Sequence, residues 1–145
     1  MGFIQDQDGL AAIAPVTLQD GFLVATPNLP GMDQPALAFL RRAVQLQCAH
    51  REAFASRDVE PLVPTELAGV FANRFSAANE NVWTLYNANG RGVRAPVLRV
   101  KHVNGATYED AWNGQTFTPI LTDGYALVSL DLPPKGVGCL VQKLH

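Results

Sequence analysis

The sequence predicts a mainly β fold, an antiparallel β-sandwich of about seven strands that is preceded by one long α-helix. Four turn dipeptides support this prediction: Asn89-Gly90, Asn104-Gly105, Asn113-Gly114 and Asp123-Gly124. Asn, Asp and Gly tolerate the positive φ angles of two-residue hairpin turns, so these pairs indicate antiparallel connections. The hydrophobic period also changes, from helical spacing in the first part of the chain to alternation in the second. Together these observations favour an up-and-down or Greek-key sheet.

The first 34 residues are rich in Gly, Pro and Asp and contain two short apolar runs, Leu10–Val16 and Phe22–Thr26. These runs are consistent with one weak hairpin or with the end of a larger structure. Four acids lie in the same stretch, which has no Lys or Arg. Their spacing fits no metal-ligand motif, so we expect a solvated segment. The four acids are Asp6, Asp8, Asp20 and Asp33.

A long helix is predicted from about residue 35 to residue 55. Asp33 or Gln34 can cap its first amide groups, and Pro35 suits the first helical turn. An apolar stripe at helical spacing consists of Leu37, Leu40, Val44 and Cys48, and it is widened by Phe39, Ala43 and Leu46. The stripe is wider than a surface helix on a small sheet requires. We therefore expect the helix to lie across the sheet or to pack against a partner outside this chain.

Pro61 and Pro64 mark a linker after the helix, in a stretch that favours extended backbone. Beyond it, alternating residues predict seven strands, and short strands in such a series are typical of two packed sheets. The sequence thus divides into residues 1–60, an N-terminal segment with one helix, and residues 61–145, the β-sandwich domain. The predicted strands lie near 68–75, 81–88, 95–103, 106–112, 115–120, 125–132 and 137–143.

Composition argues against two classes of partner. The formal net charge of −2 provides no basic field to hold nucleic acid. No apolar run approaches the length of a membrane span, so we expect neither a nucleic acid nor a membrane as partner. The two cysteines, Cys48 and Cys139, are predicted to be buried free thiols. The sequence does not indicate a cellular compartment.

No residue pattern in the chain defines a reaction. The histidines, His50, His102 and His145, have no metal-ligand spacing, and both cysteines lie in apolar alternation that favours an inert thiol. Glu109 and Asp110 are adjacent, so in a strand they point to opposite faces and cannot cooperate. We therefore predict no catalytic residue, no metal site and no cofactor in this chain.

One group of residues has the chemistry of a sugar-binding surface. Tyr108, Asp110 and Trp112 are predicted to share one face of a strand that ends at the Asn113-Gly114 turn. Aromatic rings beside a carboxylate and an amide can bind carbohydrate, and Tyr108, Asp110, Trp112 and Asn113 are therefore the candidate site. The same aromatics are equally suited to packing within the sandwich or against a neighbouring domain.

Several strings in the second half resemble the C-terminal antiparallel β-sandwich that follows the (β/α)8 barrel in many glycoside hydrolases. The resemblance covers roughly residues 60–145. The residues that carry it are Val82-Trp83-Thr84-Leu85-Tyr86-Asn87, Arg91, Val93, Leu98-Arg99-Val100-Lys101-His102, Tyr108-Glu109-Asp110-Ala111-Trp112-Asn113, Ala126-Leu127-Val128-Ser129-Leu130-Asp131-Leu132-Pro133-Pro134 and Gly136-Val137-Gly138.

This resemblance implies that residues 35–55 correspond to the last helix of a barrel and residues 56–75 to the crossing into the sandwich. In such enzymes the catalytic carboxylates lie on barrel loops, so none carries over to this chain. The implied function is a non-catalytic accessory domain that stabilises or shapes a catalytic barrel, its partner. Two alternatives stay open: a self-contained carbohydrate-binding module, and a structural domain that self-associates without binding sugar.

Overall fold

A computed structural model describes residues 34–145; the apolar runs and acids considered above for residues 1–33 lie outside this range. Helices α1 (Gln34–Ala49) and α2 (Arg51–Phe54) come first, and nine strands follow within the described residues. The strands are β1 (Val59–Val63), β2 (Val70–Ser76), β3 (Glu80–Asn87), β4 (Val93–Lys101), β5 (Thr107–Asp110), β6 (Gln115–Phe117), β7 (Ile120–Thr122), β8 (Tyr125–Leu132) and β9 (Val137–Lys143).

The strands form two antiparallel sheets. The larger sheet has the order β1-β2-β3-β9-β5-β6, and the smaller one has the order β4-β8-β7. The prediction of a mainly β, antiparallel sandwich preceded by a helix is therefore confirmed. The chain crosses between the sheets after β3, β4, β6 and β8, and three of the seven neighbouring strand pairs, β3-β9, β9-β5 and β4-β8, are distant in sequence.

Two local differences raise the strand count from about seven to nine. The predicted linker around Pro61 is partly strand β1, which pairs with β2 through an irregular register. The predicted strand 115–120 divides into β6 and β7, which belong to different sheets. Pro119 lies at this division, and a proline cannot donate a hydrogen bond to a strand ladder. The proposed division of the chain near residue 60 stays a prediction, and β1 spans that position.

Only two of the four turn dipeptides are hairpin turns. Asp123 and Gly124 both have positive φ, 51° and 79°, and connect β7 to β8 as expected. Asn113-Gly114 lies in the longer β5–β6 hairpin, with Gly114 at φ 68°. The hairpin prediction is wrong for Asn89-Gly90 and Asn104-Gly105, which carry the chain from one sheet to the other.

The larger sheet buries apolar side chains on both faces. Its inner face packs against the smaller sheet around Leu85, Leu98, Val128 and Leu140. Its outer face carries a second cluster, in which Ala53 and Phe54 of the helical segment cover Phe75, Val82 and Cys139. The molecule is thus built as helix, large sheet and small sheet, in that order. Successive side chains of a strand point to opposite faces of the sheet, so the strands of the larger sheet can bury apolar residues on both faces.

The face of α1 that packs on the larger sheet, its inner face, is not the apolar stripe predicted from the sequence. Phe39, Ala43 and Leu46, expected only to widen the stripe, lie towards the sheet and line a small cavity above it. In contrast, Leu37 and Leu40 are half-buried, and Val44 and Cys48 are exposed. The prediction of a buried thiol is therefore wrong for Cys48 and confirmed for Cys139. The continuous helix also breaks at His50, whose backbone is not helical.

A buried side-chain pair fixes the helical segment to the sheet at this break. Nδ1 of His50 lies 3.0 Å from both carboxylate oxygens of Glu80, at the start of β3. Both side chains are about nine-tenths buried. Buried polar groups need hydrogen-bond partners, and each of these two side chains provides one for the other. Neither described helix has the length and hydropathy needed to cross a membrane.

Candidate functional site

Tyr108 is a core residue of the sandwich. Its side chain is 3% exposed and packs between the sheets. Its hydroxyl lies 2.8 Å from Nδ1 of His102 and accepts a hydrogen bond of 3.0 Å from Nε2 of Gln142. Burial raises the pKa of Tyr108 above its usual value, and the Gln142 hydrogen bond partly opposes this shift. The ring therefore has the packing role that the sequence left open, and it offers no free surface to a ligand.

Asp110, the last residue of β5, holds the following turn in place. It is buried, and its Oδ1 accepts a hydrogen bond of 3.2 Å from the backbone N–H of Asn113. Its Oδ2 accepts a second one, of 2.9 Å, from Nδ2 of Asn113. Asp side chains commonly bond to backbone a few residues further on and so define turns. The carboxylate thus fixes the position of Asn113 and of the intervening Trp112.

Trp112 lies between the sandwich and α1. Its ring centroid is 5.1 Å from that of Phe39, with the rings tilted by 56°. The guanidinium carbon of Arg42 lies 5.1 Å from the same centroid, a cation–π geometry. The expectation that Tyr108 and Trp112 share one face is wrong, because β5 ends at Asp110 and the turn directs Trp112 towards the helix. Tyr108 faces the smaller sheet instead.

Three of the four candidate residues nevertheless line one open groove. The groove has a volume of about 540 Å³ and contains Asp110, Trp112 and Asn113. It lies where the two sheets separate, between β6 and the end of β8. Asp110 and Gln115 are directly paired across β5 and β6, so both side chains are on the inner side of the larger sheet. Phe117, two residues further on the same side, is half-buried within this groove.

The opposite wall of the groove is part of β8. Among the described strands, β7 pairs only with residues 125–127 of β8, and β4 pairs with the whole of its other edge. The remaining edge of β8, at Ser129–Asp131, therefore has no neighbouring strand from residues 34–145 and lies along the groove. Backbone N–H and C=O groups at such an edge are available to a ligand.

A second groove continues from the first. Its volume is about 470 Å³, and it runs along α1 past Pro35 to the turn between β8 and β9. The two grooves share Arg42, Trp112 and Pro133. Sequence reasoning missed Arg42 and Gln115 because each is an ordinary polar residue of its own helix or strand. The packing of α1 brings Arg42 next to Trp112, and the β5–β6 pairing places Gln115 beside Asp110 in the groove.

A chain of polar side chains crosses the inner face of the larger sheet at its other end. It runs from Arg74 through Ser76, Asn81 and Gln142 to the Tyr108 hydroxyl. Each of these side chains has a hydrogen-bond partner, so together they form a structural network that closes one end of the core. Gln142 was not recognised from the sequence, where it follows an apolar strand without a distinguishing pattern.

The described residues include one buried thiol, that of Cys139, and no metal-binding cluster. Burial, followed by the negative charges of Asp110, Glu109 and Glu80, raises the pKa of the Cys139 thiol far above its ordinary value. A thiol in that state is a poor nucleophile. Between residues 34 and 145, no three His, Cys, Asp or Glu side chains are grouped so as to hold a metal ion.

No protein-family profile and no curated protein sequence matches this chain. Several solved structures share its fold. An α-amylase from Geobacillus thermoleovorans is 11% identical with a TM-score of 0.61; the match covers 94% of this chain and 33% of the amylase. An Anoxybacillus α-amylase is 12% identical with a TM-score of 0.59; here the coverage is 96% and 32%. A GH27 β-L-arabinopyranosidase from Geobacillus stearothermophilus is 10% identical with a TM-score of 0.53, over 100% of this chain and 32% of that one.

At these identities the likeness establishes a shared fold. The chain spans about a third of the length of the solved structures that it matches. Its helix and β-sandwich therefore have a fold that glycoside hydrolases contain as part of a longer chain. The resemblance predicted from the sequence is confirmed at this level.

Proposed function

We propose that this chain is a non-catalytic accessory β-sandwich of a glycoside hydrolase-like protein, where it packs against a catalytic barrel and stabilises it. The proposal is supported by the shared fold, since the matched hydrolases are much longer than this chain. The observation that carries it is the apolar outer face of α1, which the sandwich does not use.

The outer face of α1 consists of Leu37, Leu40, Val44 and Cys48. Leu37 and Leu40 are half-buried, and Val44 is 39% exposed. The helix already has an inner apolar face over the larger sheet, so its outer face is not needed to hold it there. Full burial of a Val or Leu side chain contributes about 2 kcal/mol, so the parts of these side chains that stay in contact with solvent are a cost. A neighbouring domain that covered them would recover this free energy.

The helix side of the larger sheet adds to the same surface. Phe71, 49% exposed, and Tyr86 are directly paired across β2 and β3 on that side. Cross-strand aromatic pairs of this kind suit a packed sheet surface better than a solvated one. We infer that the barrel contacts the outer face of α1 and this aromatic pair.

A substitution at Val44 tests the docking surface. In a protein that joins these residues to a barrel, Val44→Lys should lower the free energy of unfolding by about 2 kcal/mol, because it removes a buried apolar contact and introduces a charge. In the chain of 145 residues alone, the same change should cost less than about 0.5 kcal/mol, because the side chain is solvated there. Differential scanning calorimetry of both proteins measures the two effects.

Gln45→Lys is the matched control, because Gln45 is an exposed neighbour on the same helix. It should leave the free energy of unfolding of both proteins unchanged. If Val44→Lys destabilised the 145-residue chain (the short chain) as much as the protein that includes the barrel, Val44 would pack within this chain, and the proposal would be contradicted. Hydrolysis of glycosides by the short chain, abolished by one carboxylate substitution between residues 34 and 145, would also contradict it.

The same exposed face supports self-association as a second candidate function. An apolar helix face can pack against its copy in a symmetric dimer. Light scattering of the short chain distinguishes the two functions. A dimer that becomes a monomer in Val44→Lys, and not in Gln45→Lys, would favour self-association, whereas a monomer in all three proteins favours the barrel partner.

A further inference from the structure

We propose that the groove beside Trp112 binds a neutral oligosaccharide. The site is formed by Trp112, Asn113, Gln115, Arg42 and the free edge of β8. Compared with the set predicted from the sequence, it lacks Tyr108, keeps Asp110 only as the residue that positions Asn113, and adds Arg42 and Gln115. This inference goes beyond the accessory role and does not depend on it, because the groove lies away from the outer face of α1.

The shape of the groove suits a ring-shaped ligand with one apolar face. Its volume of about 540 Å³ lies within the range of roughly 300–1,000 Å³ that is usual for small-molecule sites. Leu130 is buried and Phe117 half-buried, and together they provide an apolar floor. Trp112 closes the end next to α1. The C–H face of a sugar ring can lie on such a floor.

The polar groups around this floor suit a ligand that both donates and accepts hydrogen bonds. The exposed side-chain amide of Gln115 has two donors and an acceptor, and it points to the groove side of the larger sheet. The carbonyl oxygen of Asn113 is on the side chain that Asp110 holds in position. Backbone groups of Ser129–Asp131 face them from the β8 edge. Hydroxyl groups of a sugar can satisfy all of these.

The charges in the groove favour a neutral ligand. Both oxygens of Asp110 already accept hydrogen bonds from Asn113. Asp131 pairs with Arg94 at 3.1 Å, and the positive charge of Arg42 lies over the Trp112 ring. As lined by residues 34–145, the groove thus contains neither a cluster of cations for an anionic ligand nor a free pair of carboxylates for a cationic one. An uncharged polyhydroxylated molecule matches what remains.

The continuation into the second groove favours a chain of sugars over a single one. The two grooves meet at the stacked pair of Arg42 and Trp112, and the second one adds about 470 Å³. A ligand with several rings can contact both grooves across this pair. We therefore expect affinity to increase with the number of linked sugars.

Titration of the 145-residue chain with maltohexaose, cellohexaose and xylohexaose tests the proposal, by isothermal calorimetry and by tryptophan fluorescence. We expect saturable binding of at least one hexasaccharide, and weaker binding of the corresponding disaccharide. Gln115→Ala should weaken the binding about tenfold, since it removes hydrogen bonds to the ligand. Gln45→Ala, which removes an exposed amide of α1 outside the grooves, should leave the binding unchanged.

A second variant, Arg42→Gln, tests the junction of the two grooves. It should weaken binding of the hexasaccharide more than binding of the disaccharide. Circular dichroism of each variant establishes that it is folded. The proposal is overturned if none of the three hexasaccharides binds saturably, or if folded Gln115→Ala and Arg42→Gln both bind as tightly as the unaltered chain. Either result would leave the barrel-docking surface on α1 untouched.

Discussion

The buried hydroxyl of Thr84 provides a direct test of how α1 packs on the larger sheet. Thr84 lies on the helix side of β3 and is 8% exposed. Between residues 34 and 145, its Oγ1 is the buried side-chain polar atom that has no hydrogen-bond partner. The residue lines a mostly apolar cavity of about 40 Å³ beneath Phe39 and Leu46. Because Val has nearly the same shape, Thr84→Val removes the unpaired hydroxyl and keeps the packing.

The size of the effect follows from the cost of burying a polar group. A hydroxyl transferred to a protein interior without a hydrogen bond costs about 1–3 kcal/mol. Val is as well suited to a β-strand as Thr is. Thr84→Val should therefore raise the free energy of unfolding by about 1 kcal/mol or more. Urea unfolding, followed by circular dichroism, measures this as a higher midpoint at an unchanged m-value.

Thr122→Val is the control, because Thr122 is an exposed residue of β7. Its effect should stay within about 0.5 kcal/mol. If Thr84→Val destabilises the protein, or changes its stability no more than the control does, the reasoning is refuted. The hydroxyl would then have a partner, such as a water molecule held in the cavity.

Four further outcomes are expected. Glu80→Ala should cost about 2 kcal/mol by leaving the buried ring of His50 unpaired, and a double-mutant cycle with His50→Ala should show coupling of about 1 kcal/mol or more. Asn87→Ala should cost about 3 kcal/mol in urea unfolding, because this fully buried amide bonds the backbone of two separate loops. A thiol reagent should label Cys48 and spare Cys139 in the native protein. Because folding raises the pKa of Cys139, the unfolded chain loses that proton first, and stability should fall as the pH rises above about 8.5, by up to 1.36 kcal/mol per unit. Cys139→Ala should reduce this slope, and equal slopes with and without the thiol would contradict the assignment.

Local patterns were sufficient to predict the sandwich. Ala126, Val128, Leu130 and Leu132 alternate with more exposed residues, and all four are buried in β8. The Asp123-Gly124 turn also behaves as its residue types predict. Such features depend on neighbours in sequence, which a single chain shows directly.

Strand partners could not be predicted in the same way. Asn104-Gly105 has the composition of a hairpin turn, yet β4 pairs with β8 and β5 pairs with β9 and β6. Which strands pair depends on contacts between distant segments, and the turn residues carry no information about these. The helix was predicted, but its inner face was predicted wrongly, because that face is decided by packing against strands that are distant in sequence.

The direction of Trp112 was predicted wrongly because strand β5 ends earlier than the sequence pattern indicates. Alternation from Tyr108 to Trp112 assumes that the strand continues, and the strand ends at Asp110. The turn beyond it then decides where Trp112 points, and the ring packs beside Phe39 of a helix about seventy residues earlier in the chain. Trp112 and Asn113 were found because an aromatic beside a turn is conspicuous in sequence. Arg42 and Gln115 became visible only with the packing.

The outermost strands of the larger sheet bear on how the protein behaves at high concentration. At one edge, β1 has an irregular register between Glu60 and Val63, and Leu62 has a positive φ of 51°. At the other edge, β6 is three residues long. Amyloid-like stacking starts from long, flat edges that recruit strands from other molecules, and neither of these edges provides one. The outermost strands of the larger sheet therefore disfavour edge-to-edge stacking between molecules.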